Sequence, residues 1–143
     1  MYLPEEIRDL IINRITTAST KQSSFYRAPA SQYDSYPAYI LEYGSNENQW
    51  ASSASDRKTF MFNLYIAYEY KNDSEASREL AEVAISECIG ELYRDVFQDP
   101  GVLNIPNGWA RASDVSWGYG DGADVPIRMA MMQLEVTVHE DRA

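Results

Sequence analysis

"TFMFNLYIAYEY", Thr59–Tyr70, alternates without a break. Phe60, Phe62, Leu64, Ile66, Tyr68 and Tyr70 fall on one side; Met61, Asn63, Tyr65, Ala67 and Glu69 fall on the other. Successive side chains of an extended strand point to opposite faces, so this spacing predicts a strand with one dry face. From Phe60 onward it would span roughly 36 Å at ~3.3 Å per residue, long for a strand. Its second side is also partly apolar.

The C-terminal stretch "IRMAMMQLEVTVHEDRA", Ile127–Ala143, repeats that feature more sharply. Leu134, Val136 and Val138 alternate with Gln133, Glu135, Thr137 and His139, as in a strand with one buried face. Upstream, Ile127, Met129 and Met131 are apolar on the side that later turns polar. One face serves a core, and the other needs a cover from elsewhere. The chain's own loop at residues 20–37 is one candidate for that cover, and a second copy of the chain is another.

Outward from these strands the chain reads as a single domain. Pro4, Glu5 and Glu6 suit a helix N-terminus, and Ile7, Leu10, Ile11 and Ile15 fall at helical spacing, predicting a helix over residues 4–17. Residues 20–37 carry no period and form a predicted loop, an aromatic one with Phe25, Tyr26, Tyr33 and Tyr36. "AYILEY", Ala38–Tyr43, predicts a short strand, and the serine-rich residues 44–58, with Trp50 inside, a second long loop. Asn72 to Ser74 cap a helix over residues 75–97, whose stripe of Ala81, Ile85, Cys88, Ile89, Leu92 and Val96 faces the sheet. Val102–Ile105 reads as a brief extended segment and Asn107–Gly108 as a turn. "WARASDVSWGY", Trp109–Tyr119, is a strand, and Gly118, Gly120 and Gly122 form a hairpin tip before the last strand. The expected fold is α+β, with an antiparallel four-stranded sheet, two helices on one face and the order α-β-β-α-β-β.

Composition bounds the function. The chain has 143 residues, 45% of them hydrophobic, enough for one core. No apolar run approaches the ~18–20 residues of a membrane-spanning helix, and the acidic N-terminus does not resemble a secretory signal. The single cysteine, Cys88, cannot form an internal disulfide, which suits synthesis in a cytoplasm. The net charge is −10, with 15 acids against 6 bases in residues 59–143. Such a surface repels phosphate, which argues against a module that grips nucleic acid. Eleven tyrosines and three tryptophans instead favour contact surfaces.

Signals for catalysis are sparse. His139 stands alone on the polar side of a strand, and Cys88 belongs to a buried helix stripe, so neither a zinc site nor a Cys–His pair is supported. "GYGDG" lacks the lysine and the following helix of a phosphate loop. Asp121 and Asp124 lack the alternating oxygen ligands of a calcium loop. Glu75, Glu79, Glu82, Glu87 and Glu91 read as a solvated helix face. No catalytic, cofactor-binding or metal-binding residue is assigned, and the chain is expected not to be an enzyme.

The N-terminal amphipathic helix, the segment closing in "DRKTFMFNLYIAYEY", the long acidic helix and "WARASDVSWGYGDGADVPIRMAMMQLEVTV" together resemble the tail terminator (tail completion) proteins of long-tailed bacteriophages. The resemblance covers residues 4–139 and lies in order, length and pattern. It implies a structural protein of the virion, made in the host cytoplasm and placed at the neck end of the tail. There it would form a ring, a homohexamer, on the last tail tube ring, stopping tube polymerisation and offering a surface to the head–tail connector. DNA would pass through the channel only as cargo, and no membrane is involved. Head-closure proteins and tail tube subunits share related folds and are the nearest alternatives; a small-ligand-binding α+β domain or a carboxylate-using enzyme is a more distant one. Within the ring reading, Ile127, Met129, Met131, Tyr65 and Trp50 are expected at subunit contacts. Phe25, Tyr26, Tyr33, Tyr36, Tyr119, Asp121 and Asp124 are expected on loops that touch tube or connector.

Overall fold

A computed structural model describes residues 3–21, 24–27, 33, 35–50, 55–70, 75–99, 101–106, 108–120 and 126–141, the side chains of 45–50, 55–56 and 140–141 excepted. Helix α1 (Pro4–Ala18) is followed by strands β1 (Ser24–Tyr26), β2 (Ala38–Trp50) and β3 (Ser55–Glu69). Helix α2 (Glu75–Glu91), which ends in one wide turn at Leu92–Val96, precedes β4 (Trp109–Gly120) and β5 (Ile127–Asp141). The strands form one sheet in the order β1-β2-β3-β5-β4.

The expected class, α+β with two helices on one face of a sheet, is what the chain adopts, but several details differ. Among the described residues the sheet has five strands, because Ser24–Tyr26 adds β1 parallel to Ala38–Ile40. The order is therefore α-β-β-β-α-β-β. Residues 44–58 are largely strand: β2 runs on to Trp50 and β3 starts at Ser55, with residues 51–54 outside the described part. Polar side chains are tolerated there because backbone pairing, from Ser45↔Met61 to Trp50↔Asp56, holds the hairpin. Gly44 is an extra residue between Tyr43 and Ser45, a bulge that shifts the alternation. The second helix is α-helical only to Glu91, and residues 102–105 form turns rather than an extended segment. Gly118 and Gly120 belong to β4, with the hairpin tip beyond them outside the described residues.

The helix side of the sheet carries the main core. Phe60, Phe62, Leu64 and Ile66 of β3 lie beside Tyr39 and Leu41 of β2 and Ala130, Met132, Leu134, Val136 and Val138 of β5. Ile7, Ile11 and Ile15 of α1 and Ile85, Cys88 and Leu92 from the second helix close over them. Each such side chain contributes roughly 1.5–3 kcal/mol by leaving water. Arg14 ties the helices together, donating from Nε to the Val96 carbonyl at 2.8 Å and from Nη2 to the Asp95 carbonyl at 3.0 Å. These carbonyls close a helical segment and would otherwise lack donors.

A smaller cluster occupies one end of the opposite face. Tyr33, Ala38, Ile40, Ala67 and Ile127 are buried there, with Tyr26, Tyr36, Tyr65 and Met129 packed against them. Tyr33 meets Tyr26 and Tyr36 edge-on, with ring centres 4.8 and 6.0 Å apart. The aromatic segment before β2 thus supplies the cover that the alternation at Ile127 demands.

Candidate functional site

Side chains capable of chemistry are dispersed. Among the described residues no group of three or more His, Cys, Asp or Glu is placed to hold a metal ion. His139 lies against the Trp109 ring at 5.9 Å, and Cys88 is buried within the core, as its place on the helix stripe predicts. Burial pushes the Cys88 thiol up, the opposite of what a nucleophile needs. Asp121 and Asp124 lie outside the described residues.

Glu91 departs from the solvated face assigned to the helix carboxylates. It is buried, and its carboxylate accepts from the Ser19 hydroxyl, from Thr20 N–H at 2.9 Å, from Thr20 Oγ1 at 2.5 Å and from Lys21 N–H at 3.3 Å. Burial alone would raise its pKa; these donors outweigh burial and hold it below the ordinary glutamate value. Its role is to fasten the end of α1 to α2.

The uncovered part of the sheet is the strongest candidate for a working surface. On the face away from the helices, Tyr65 pairs across with Met131, and Ala67 with Met129. Ser116 and Gly118 of β4 continue these two rows. Tyr65, Met129 and Met131 are half-buried. Gly118 offers no side chain, and a Cβ there would meet nothing within 4 Å. The result is a groove of about 190 Å³ lined by Tyr65, Ser116, Met129 and Met131, with Trp117 and Tyr119 at its border. Burial raises the Tyr65 phenol, as does the nearby Glu42 carboxylate.

The expected contact residues therefore divide. Tyr65, Met129 and Met131 come together in this groove. Ile127 does not, being only 2% exposed beneath the tyrosine segment, so it has no surface to give a neighbour. The Trp50 side chain lies outside the described part. Phe25 points to the helix side, edge-on to Tyr39 at 5.6 Å, while Tyr26, Tyr33 and Tyr36 pack inward on the opposite face. Tyr119 is 58% exposed, at the end of β4.

Ser116, Trp117 and Gly118 are not among the contact residues expected from the sequence. A glycine inside a strand, which marks a gap or a close approach, was the available signal. Trp117 and Tyr119 are held from the helix side by Arg128, whose guanidinium lies 5.0 and 4.4 Å from their ring centres. Arg128 Nε donates to Glu82 of α2 at 3.0 Å, and Nη1 to the Gly118 carbonyl at 2.6 Å. Two aromatic rings are thereby fixed at the sheet edge while remaining 41% and 58% exposed.

No protein-family model and no curated protein matches the chain.

Proposed function

We propose that this chain is a structural assembly protein, a tail terminator that forms a ring on the end of a phage tail tube. The ring stops tube polymerisation and presents the head-attachment surface; no catalysis is involved. The observation that carries this reading is the apolar groove at Tyr65, Met129 and Met131, left open on a sheet whose other face has two helices. Rigid aromatic and adaptable methionine side chains beside a small-residue gap suit a protein contact. A ring of identical subunits needs two different patches per copy, and this groove supplies one.

The acidic balance is compatible with a channel past which DNA slides without sticking. The test is to mix the purified protein with tail tubes and image the tube tips. Rings capping the tips and arrested tube growth are expected. Binding to a portal adaptor instead would favour a head-closure role, and unaided growth into long tubes a tube subunit.

A further inference from the structure

Leu80 and Val83 are large apolar side chains that the fold leaves in water. Both stand on α2, turned away from its buried residues Ala81, Ile85 and Cys88, and they are 72% and 50% exposed. Residues three apart are neighbours on a helix surface, so the two make one apolar knob. Leu80 is the most exposed large hydrophobic side chain among the described residues. Past Val83 the helix surface falls away into a hollow at Ser86 and Gly90, which confines the knob to a single turn.

The knob and the groove on the far face of the sheet lie back to back. Glu82, between Leu80 and Val83 in sequence, accepts from Arg128 Nε at 3.0 Å. Arg128 and Met129 are consecutive on β5, so their side chains point to opposite faces of the sheet. Met129 pairs with Gly118, and the next row on the same face joins Met131 to Ser116 and Tyr65. α2 therefore crosses one face at the level where the groove opens on the other. Arg128 reaches both features, holding Glu82 on the helix and the Trp117 and Tyr119 rings at the groove's border.

Shape and charge decide what covers these two patches when copies meet. Glu79 and Glu87 stand one helical turn either side of Val83. A two-fold contact of knob against knob would set these glutamates against their own counterparts, and like charges oppose it. A two-fold contact of groove against groove would fill neither, because Gly118 brings no side chain and a Cβ there meets nothing within 4 Å. Knob into groove meets both demands. No charged residue lines the groove, and Met129 and Met131 can adapt their shape around an entering aliphatic side chain. An apolar projection that fits a different patch on the next copy makes a head-to-tail contact, and a constant turn between copies closes it into a ring.

We propose that the subunits join head to tail, helix face against sheet face, with Leu80 and Val83 of one copy seated in the Tyr65, Gly118 and Met131 groove of the next. This rests on the ring reading above and names the second patch that such a ring requires. The helix side of each copy then covers the open part of its neighbour's sheet, and Arg128 positions both halves of the seam.

The test is disulfide trapping together with removal of the knob. Leu80→Cys is combined with Gly118→Cys, and the protein is oxidised after ring formation on tail tubes. Within one chain α2 and the sheet stand between the two positions, more than a helix diameter of roughly 10 Å, too far for a disulfide. The native Cys88 is 1% exposed and out of reach. A ladder of covalent multimers from the double variant is expected, with none from either single variant. Leu80→Gln, which keeps a good helix former and adds no charge, should fold as the wild type does by circular dichroism and lose the ring in native mass spectrometry. Rings that persist in Leu80→Gln, or an assembled double variant that gives no ladder, would overturn the seam and leave the ring reading standing. Covalent dimers from Leu80→Cys alone would mean helix-to-helix pairing, and from Gly118→Cys alone sheet-to-sheet pairing; either overturns it. A wild type that stays monomeric with tail tubes present would sink both readings.

Discussion

Thr20 donates twice to Glu91, from its backbone N–H at 2.9 Å and its hydroxyl at 2.5 Å, both to Oε2. One buried carboxylate thereby holds the turn that leaves α1, seventy-one positions away in sequence. The same turn leads to β1 and the tyrosine segment, so a carboxylate on α2 sets where the cover of the far face begins.

Replacing Glu91 by Ala should cost about 2–3 kcal/mol, because the Thr20 and Lys21 N–H groups lose a buried acceptor. The folded-state pKa lies below the unfolded value near 4.5. Its contribution is therefore complete above the unfolded pKa and is lost as pH falls through the folded one. Wild-type stability should drop below about pH 4.5 more steeply than that of Glu91→Gln. Urea titrations at pH 7 and pH 3.5 read this, and equal pH slopes for both proteins would refute the assignment.

Two glycines in or beside the same edge strand should respond unequally to alanine. At Gly108 an added Cβ would lie 2.7 Å from Ile105 Cγ2 and 2.9 Å from the Thr137 carbonyl oxygen. The latter is backbone of β5 and cannot yield cheaply, so Gly108→Ala should cost about 1–3 kcal/mol. Gly118→Ala meets open space and should stay within about 0.5 kcal/mol of wild type. Thermal unfolding of the pair decides, and a reversed order would mean that the sheet margin is placed wrongly.

Much of this architecture was legible because one face alternates. β3, β5 and the two helices follow from residues such as Phe62, Leu134, Ile11 and Ile85, each forced inward by water. β1 was not legible: three residues held by pairing with Ala38–Ile40 leave no period. Nor was the outer half of β2, where Gly44 breaks the alternation and polar residues follow. Of the groove, Tyr65, Met129 and Met131 were visible as apolar residues on the wrong side. That Ile127 differs from them depends on where Tyr33 folds back, a tertiary fact that spacing does not carry.

Ile127 and Met131, four residues apart on one face, should therefore separate folding from assembly. Ile127→Glu buries a carboxylate among Tyr33, Ala38 and Ile40 and should destabilise the monomer by several kcal/mol, on the order of 3 or more. Met131→Glu sits in the half-open groove and should leave unfolding within about 1 kcal/mol of wild type while abolishing rings. Circular dichroism and native mass spectrometry read the two effects. Intact rings from Met131→Glu would remove the groove from the contact surface.

Arg128 tests what fixes the exposed aromatic pair. Its side chain is mostly buried, whereas that of Glu82 is 42% exposed, so the ion pair is partly screened by solvent. The stack on Trp117 and Tyr119 and the bond to the Gly118 carbonyl need a flat, multiply donating group, which lysine lacks. Arg128→Lys keeps the charge and should still lose about 1–2 kcal/mol. Glu82→Gln should lose less than about 1 kcal/mol. A double-mutant cycle measures the two shares: coupling of Arg128 to Trp117 and Tyr119 should exceed its coupling to Glu82. The reverse order would make Arg128 a clamp between α2 and β5, with the rings free to turn. The border of the groove would then be set by assembly itself rather than by the folded monomer.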